Sequence, residues 1–207
     1  MDRILEVEGI QFRDHELVPI WERVQRGDRL TAADGVRLLD TVDFPAVGRM
    51  ADFVKRRVSA DRVYFVLNRH INPTNICVLS CTFCDFAKKP DDVDAYEMTI
   101  EDILDSLDEE IHEVHIVGGH HPNWPFEYYE NMLAEIHKRF PTLQIKAFTA
   151  AEIDYFWRRW KIEPIEALSR LKAAGLSSMP GGGAEIFSDR IHRMLLPGKA
   201  NAERWAE

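Results

Sequence analysis

The sequence predicts an α/β fold of about four strand–helix units, preceded by a helical segment. Two observations carry this. From residue 62 onward, apolar runs rich in β-branched residues alternate with amphipathic stretches of helical period. The chemically unusual residues then fall directly after each apolar run, at the carboxyl ends of the expected strands, where such folds place their chemistry. Strand–helix units in series call for parallel strands joined by right-handed crossovers, in an open sheet or in part of a barrel.

The segment 1–60 reads as helical throughout. In HELVPIWERVQRG the apolar residues Leu17, Ile20, Trp21 and Val24 recur at helical spacing, and Gly27 supplies a stop. Thr31 is placed to cap AADGVRLLDT, and Pro45 lies in the first turn of PAVGRMADFVKRRV. The segment 61–207 opens with RVYFVLNRHIN as strand one, followed by a cysteine-bearing loop and the helix IEDILDSLDEEI, where Thr99 and Asp102 have capping-box spacing. EVHIVGG then precedes PFEYYENMLAEIHKRF, and LQIKAFTA precedes EIDYFWRRW and EPIEALSRLKAAG. LSSMPGGGAEI precedes SDRIHRML, with Ser188 as the expected cap. The last residues, GKANAERWAE, read as the opening turns of a further helix, so the expectation is a truncated chain.

Composition narrows the class. Apolar residues make up 45% and charged residues 29%, a globular balance. The 35 acidic side chains outnumber the 26 basic ones, and the net charge of -9 opposes binding to a phosphate backbone. No apolar run approaches the roughly 20 residues that a membrane span needs. MDRILEVEGIQFRDHELV lacks the basic-then-apolar layout of a secretory signal, so a cytoplasmic location is expected. There cysteines serve as ligands or reactive groups rather than as staples.

All three cysteines fall within NICVLSCTFCDF: Cys77, Cys81 and Cys84. A structural zinc site wants four ligands, which a histidine could complete, but such ligands usually come as two separated pairs. A redox pair would need only Cys81 and Cys84 and leave Cys77 unexplained. The reading that uses all three is a [4Fe-4S] cluster held by three thiolates on one short loop, with one iron left open. Val78, Leu79, Phe83 and Phe86 supply apolar neighbours that restrict water around it, and would equally serve as loop-to-core packing.

Other residues at the strand ends have a functional and a structural reading. Asn68, His70 and Asn72 share one face of strand one, as contacts to a ligand or as a network that orients the cysteine loop. Asn75 is expected to tie down the backbone of that loop. Lys146, on a face with Phe148, either meets an anionic ligand or extends outward between helices. His120 and His121, beside Trp124, sit where a lid over a substrate would lie. In GGGAEIFSD the glycines permit close backbone approach, and Glu185 either binds ribose hydroxyls or orients a neighbour.

C-x3-C-x2-C after a parallel strand resembles the radical S-adenosylmethionine (SAM) enzymes, which implies a partial (β/α) radical-SAM barrel. The resemblance further implies a [4Fe-4S] cluster on Cys77, Cys81 and Cys84 whose open iron chelates the methionine part of SAM. It places Phe83 beside the adenine. The family's Gly-Gly-Glu motif matches Gly118, Gly119 and His120, so the acid is replaced here. HINPTNIC, EVHIVGGHHPNWPFEYYE, IKAFTAAEIDYF and SMPGGGAEIFSDRIHR narrow the resemblance to the aminofutalosine synthase family of the futalosine route to menaquinone. PGGGAEI is similar to an element of the dehypoxanthine futalosine cyclases, and TNIC to the cluster loops of the two FO-synthase components.

That resemblance implies a transferase in which SAM is a consumed substrate. Its 5′-deoxyadenosyl radical adds to 3-[(1-carboxyvinyl)oxy]benzoate and gives 6-amino-6-deoxyfutalosine. It also implies an electron donor such as flavodoxin or ferredoxin, makes His70, Lys146 and His120 candidates for the dianionic substrate, and makes Asn72, Gly118, Gly119 and Glu185 candidates for the cofactor. The family barrel is expected to need about six units, so a chain with four is expected to turn over poorly alone. A zinc-stabilised α/β module without catalysis is the reading of another class.

Overall fold

The computed structural model describes residues 4–207. The chain divides into two compact units, Met1–Phe65 and Val66–Glu207.

The first unit opens with an antiparallel hairpin, β1 (Leu5–Val7) and β2 (Ile10–Phe12), where a helix was expected. LEVEGIQF alternates with period two, and Glu8 and Gly9 both take left-handed φ values, 47° and 81°, which suit a two-residue hairpin turn. Ile10 and Phe12 thereby join Leu17, Ile20 and Trp21 in a small core. Helix α1 (Val18–Arg26) stops at Gly27 as expected, with φ 77°. Helix α2 (Ala32–Asp40) carries a complete Thr31–Asp34 capping box. Helix α3 (Phe44–Ser59) has Pro45 in its first turn.

The second unit holds a parallel sheet in the order β3-β4-β5-β6, so each new strand is added on the same side. That progressive order is how a barrel winds, whereas a doubly wound sheet reverses direction. Strand β3 (Asn68–Ile71) is shorter than its apolar run suggests. Its partner β4 (Glu113–Ile116) begins opposite Asn68, so residues 62–66 have no ladder to join, and Val63, Tyr64 and Phe65 are exposed. Helix α4 (Ile100–Asp105) has the expected Thr99–Asp102 box but ends early. Helix α5 (Phe126–Arg139) leads to β5 (Gln144–Ala147), and α6 (Ala150–Trp160) and α7 (Pro164–Ala173) lead to β6 (Leu176–Ser178). Ser188 occupies the N-cap position of α8 (Asp189–Leu195) but its hydroxyl makes no cap bond. Helix α9 (Ala202–Ala206) is capped by Asn201.

The sheet's two faces differ. Val114, Ile116, Ile145 and Ala147 are buried in the main core with residues of α4 to α7. The other face carries Asn68, His70, Glu113, His115, Gln144 and Lys146, paired strand to strand in that register. Among the described residues no helix is long and apolar enough to cross a membrane.

Candidate active site at the carboxyl ends of the strands

The cysteine loop leaves β3 and is fixed mainly by its own backbone. Asn75 does tie it down: its side-chain amide donates to the Asp94 carbonyl at 2.8 Å and its carbonyl oxygen accepts the Tyr96 N–H at 2.8 Å. The N–H of Cys77 donates to Lys88 O at 3.0 Å, and the N–H of Lys88 donates to Asn75 O at 2.8 Å. The Lys89 ammonium holds the carbonyls of Cys77 and Leu79, both at 2.9 Å. The end of β4 docks against this loop through its two glycines. A Cβ on Gly119 would lie 2.1 Å from the Ile76 carbonyl oxygen, and one on Gly118 would lie 3.1 Å from Thr74 O. Glycine is therefore required at 119 for the strand end and loop to meet.

Cys77 is buried, whereas Cys81 and Cys84 are partly exposed, and all three are free thiols. The backbone N–H of His120 points at Cys77 Sγ, 3.4 Å away. Burial pushes the Cys81 thiol up, Lys199 pulls it down, and its two cysteine neighbours push it up again. Thiols that repel one another as thiolates need a cationic centre to gather them, and a bound metal reverses that local balance. Among the described residues no group of three or more His, Cys, Asp or Glu is converged on a metal position. Three thiols on one loop with a backbone donor aimed at a sulfur fit an iron–sulfur cluster.

Beside the loop lies a cavity of about 200 Å³, lined by Asn72, Gly118, His120, Glu152, Glu185 and Lys199, with Phe86 as an apolar wall. Asn72 is held there by a 2.6 Å bond to Val117 O. Glu185, with φ 55°, pairs with the Lys199 ammonium at 2.8 Å. His120 is buried, its ring lies on Tyr155 at 4.9 Å between centroids, and Nδ1 has no partner. Burial, with help from Lys199 and Arg158, lowers its pKa to about 3, so the ring is neutral. Glu152, third residue of α6, accepts the Gly118 N–H and groups of Thr149, and burial pushes its carboxyl up to about 7.

The structure thus brings Asn72, Gly118, His120 and Glu185 to one cavity. His70 and Lys146 stand on the strands, with Asn72 two residues further along β3's path than His70. Phe83 is exposed and does not line the cavity. His121 is no open lid residue: it is 2% exposed, Nε2 pairs with Glu97, and Nδ1 accepts the N–H groups of Asn123 and Trp124 at 3.2 and 3.1 Å. Sequence reasoning missed Lys199, Glu152 and His115. The Thr-x-x-Glu spacing of TAAE is the one signal that could have drawn attention to Glu152, and only the fold shows it reaching Gly118. Lys199 sits in what read as a helix opening, and nothing there marked it.

A model of the Radical SAM superfamily matches residues 71–207. The aminodeoxyfutalosine synthase of Thermus thermophilus is 39% identical over 200 residues, covering 95% of this chain and 54% of that protein. The cyclic dehypoxanthine futalosine synthase of Streptomyces coelicolor is 36% identical, covering 93% of this chain and 50% of that protein. The chain spans about half the length of the curated relatives it matches. The crystal structure of methylornithine synthase superposes with a TM-score of 0.63 at 18% identity, over 89% of this chain and 53% of that one, a likeness of fold.

Proposed function

We propose, from the premise that this chain belongs to the Radical SAM superfamily, that it works as an aminodeoxyfutalosine synthase. In that reaction SAM and 3-[(1-carboxyvinyl)oxy]benzoate yield 6-amino-6-deoxyfutalosine. Methionine leaves from SAM, and one carboxyl group of the acceptor, taking up the oxygen of a water molecule, leaves as bicarbonate. A [4Fe-4S] cluster, when bound, supplies a reducing electron and an open coordination position. The observation that carries the reading is the three-cysteine loop beside a cavity that holds one ammonium and two carboxyl groups, the ammonium of Lys199 being near enough to Cys81 to act on its thiol.

Those residues suit the two substrates. Cys77, Cys81 and Cys84 hold the cluster, and the His120 N–H stabilises charge on the Cys77 sulfur. SAM is a zwitterion at its methionine end, so it needs a cation for the carboxylate and acceptors for the amine. Lys199 supplies the first, and Glu152 with backbone carbonyls near Gly118 and Gly119 supplies the second. Glu185 reaches ribose hydroxyls once it turns from Lys199, and Phe83 and Phe86 are the rings available to adenine. His70, Lys146 and neutral His120 are the candidates for contact with the acceptor. Identity of 39% to a protein named for this activity supports the choice over the cyclase, at 36%.

Anaerobic reconstitution of the chain with iron and sulfide, followed by incubation with SAM, reductant and the enolpyruvyl benzoate, tests the reading. Aminodeoxyfutalosine is the expected product. A cyclised dehypoxanthine futalosine product formed from its own precursor would assign the cyclase instead. A colourless protein that retains zinc would remove the enzyme altogether.

A further inference from the structure

The cysteine loop is closed at its base by backbone and beyond that by a side chain. Ile76 and Lys88 form an isolated parallel bridge, made by Cys77 N–H to Lys88 O at 3.0 Å and Lys88 N–H to Asn75 O at 2.8 Å. Beyond this neck the carbonyls of Cys77 and Leu79 are both taken by the Lys89 ammonium, at 2.9 Å each. An ordinary surface lysine points into water or pairs with one flexible carboxylate. Lys89 is exposed, yet it grips two fixed backbone oxygens on the segment that joins the first two cysteines. Among the described residues its ammonium has no carboxylate partner, and the Asp92 carboxylate accepts the backbone N–H of Lys89 at 2.7 Å instead.

We propose that Lys89 is the positioning residue of the cysteine loop, holding a hydrogen-bond donor on the Cys77 sulfur and placing a fixed positive charge beside the cluster. The proposal rests on the reading of Cys77, Cys81 and Cys84 as cluster ligands. The contacts form one chain. The ammonium takes the Cys77 carbonyl, and on the opposite side of that trans peptide the Val78 N–H donates to His120 O at 3.0 Å. The N–H of His120 in turn points at Cys77 Sγ, 3.4 Å away. A carbonyl drawn toward a cation polarises its peptide and strengthens the bond made at the other end. Lys89 thereby fastens the loop to the end of β4, where Gly119 leaves no room for a Cβ, and keeps the donor aimed at the sulfur. Its charge acts separately. Adding an electron to a centre already ringed by three thiolates makes it more negative, so a cation held nearby raises its reduction potential.

Two measurements on the full 207-residue chain test this, one without metal and one with it. In the iron-free protein, hydrogen exchange at the Val78 amide reads the clamp. Lys89→Met keeps the stem and removes the donors, and is expected to speed that exchange by about tenfold or more, the worth of one charge-assisted hydrogen bond. Lys89→Arg should restore most of the protection. Lys88→Met, which removes a neighbouring charge but no contact to a carbonyl, should leave the exchange as it is. In protein reconstituted anaerobically with iron and sulfide, dithionite titration followed by the electron-spin signal of the reduced cluster gives the midpoint potential. It is expected to fall in Lys89→Met and to return in Lys89→Arg, whereas a lysine that only braced the loop would leave it unmoved. Parent-like exchange or a parent-like potential in Lys89→Met would overturn the proposal. If Lys89→Met takes up no cluster, recovery of uptake in Lys89→Arg would support it and continued failure there would overturn it. A parent chain that takes up no iron would sink the cluster reading, and the Val78 exchange would still decide the clamp.

Discussion

Ile145 and Lys146 are neighbours in β5 and belong to different environments. Ile145 is fully buried against the helices, with Val114 and Ile116 of β4 beside it. Lys146 faces the other way, toward His115 and His70, with its ammonium hardly paired. The same contrast holds at every second residue of β4 and β5. One face is finished, in that its apolar surface is covered. Among the described residues the other keeps one buried polar atom without a partner, His115 Nε2, and it leads to the cavity where His120 Nδ1 is likewise unpartnered. Unmet hydrogen-bonding capacity costs stability, and these two ring nitrogens are positions where a bound group would supply the missing partner.

The largest effect is expected at the cavity end. Cys77→Ala should abolish iron uptake and SAM cleavage, because two remaining thiols cannot hold the cluster, while the denaturant midpoint of the iron-free chain changes little. Iron analysis and methionine release measure the first, and urea unfolding the second. Retained iron at parent stoichiometry would break the division at its most important residue. On the helix-facing side the outcome should invert. Ile145→Ala should cost about 3–4 kcal/mol of folding stability, through lost transfer energy and the cavity left behind. A loss below about 1 kcal/mol, outside the usual range for such a truncation, would mean that this face is not the stabilising one.

Much of this division was legible in the sequence. Period-two alternation in EVHI and QIKA gives the two faces, and Cys77, Cys81 and Cys84 announce themselves by spacing. The strand–helix alternation gave the parallel order. What could not be read depends on contacts between distant segments. The hairpin at Leu5–Phe12 was hidden because eight residues of alternation are outweighed by the helical periodicity that follows. The run at 63–67 reads as strand by composition, yet a strand exists only where a partner offers its ladder, and β4 starts too late. Lys199 and Glu152 reach the cavity only through the return of the chain after α8 and the docking of α6 on Gly118. His120 and His121 are adjacent and chemically identical, and the sequence has no means of telling the satisfied ring from the unsatisfied one.

Glu152 stands at the border between the two environments and sharpens the comparison through pH. Burial raises its carboxyl from the ordinary 4.5 to about 7. Between those values the folded chain keeps a proton that the unfolded chain has released. Unfolding therefore releases a proton, and the stability of the folded chain falls as pH rises through this window. The full shift corresponds to a loss on the order of 3 kcal/mol. Glu152→Gln cannot ionise, so its stability relative to the parent should improve from about pH 5 to about pH 7.5. Parallel stability profiles for the two proteins would show that the carboxyl titrates normally and is not buried in the way its position implies.

The smallest stability effect is expected at Lys146, and it completes the test begun at Ile145. The Lys146 side chain is 32% exposed and lies 3.8 Å from Glu113, so the pair is long and partly hydrated. Pairs of that kind contribute about 0–1 kcal/mol, and replacing the stem by methionine keeps the methylene packing that lysine provides. Lys146→Met should therefore unfold within about 0.5 kcal/mol of the parent. Two consecutive substitutions, one costing several kcal/mol and the next almost nothing, would follow from the alternation of the strand alone. A large loss at Lys146 would mean that its ammonium organises Glu113 and the neighbouring imidazoles as a structural network. The polar face would then belong to the scaffold, and the difference between the two faces would be one of composition rather than of purpose.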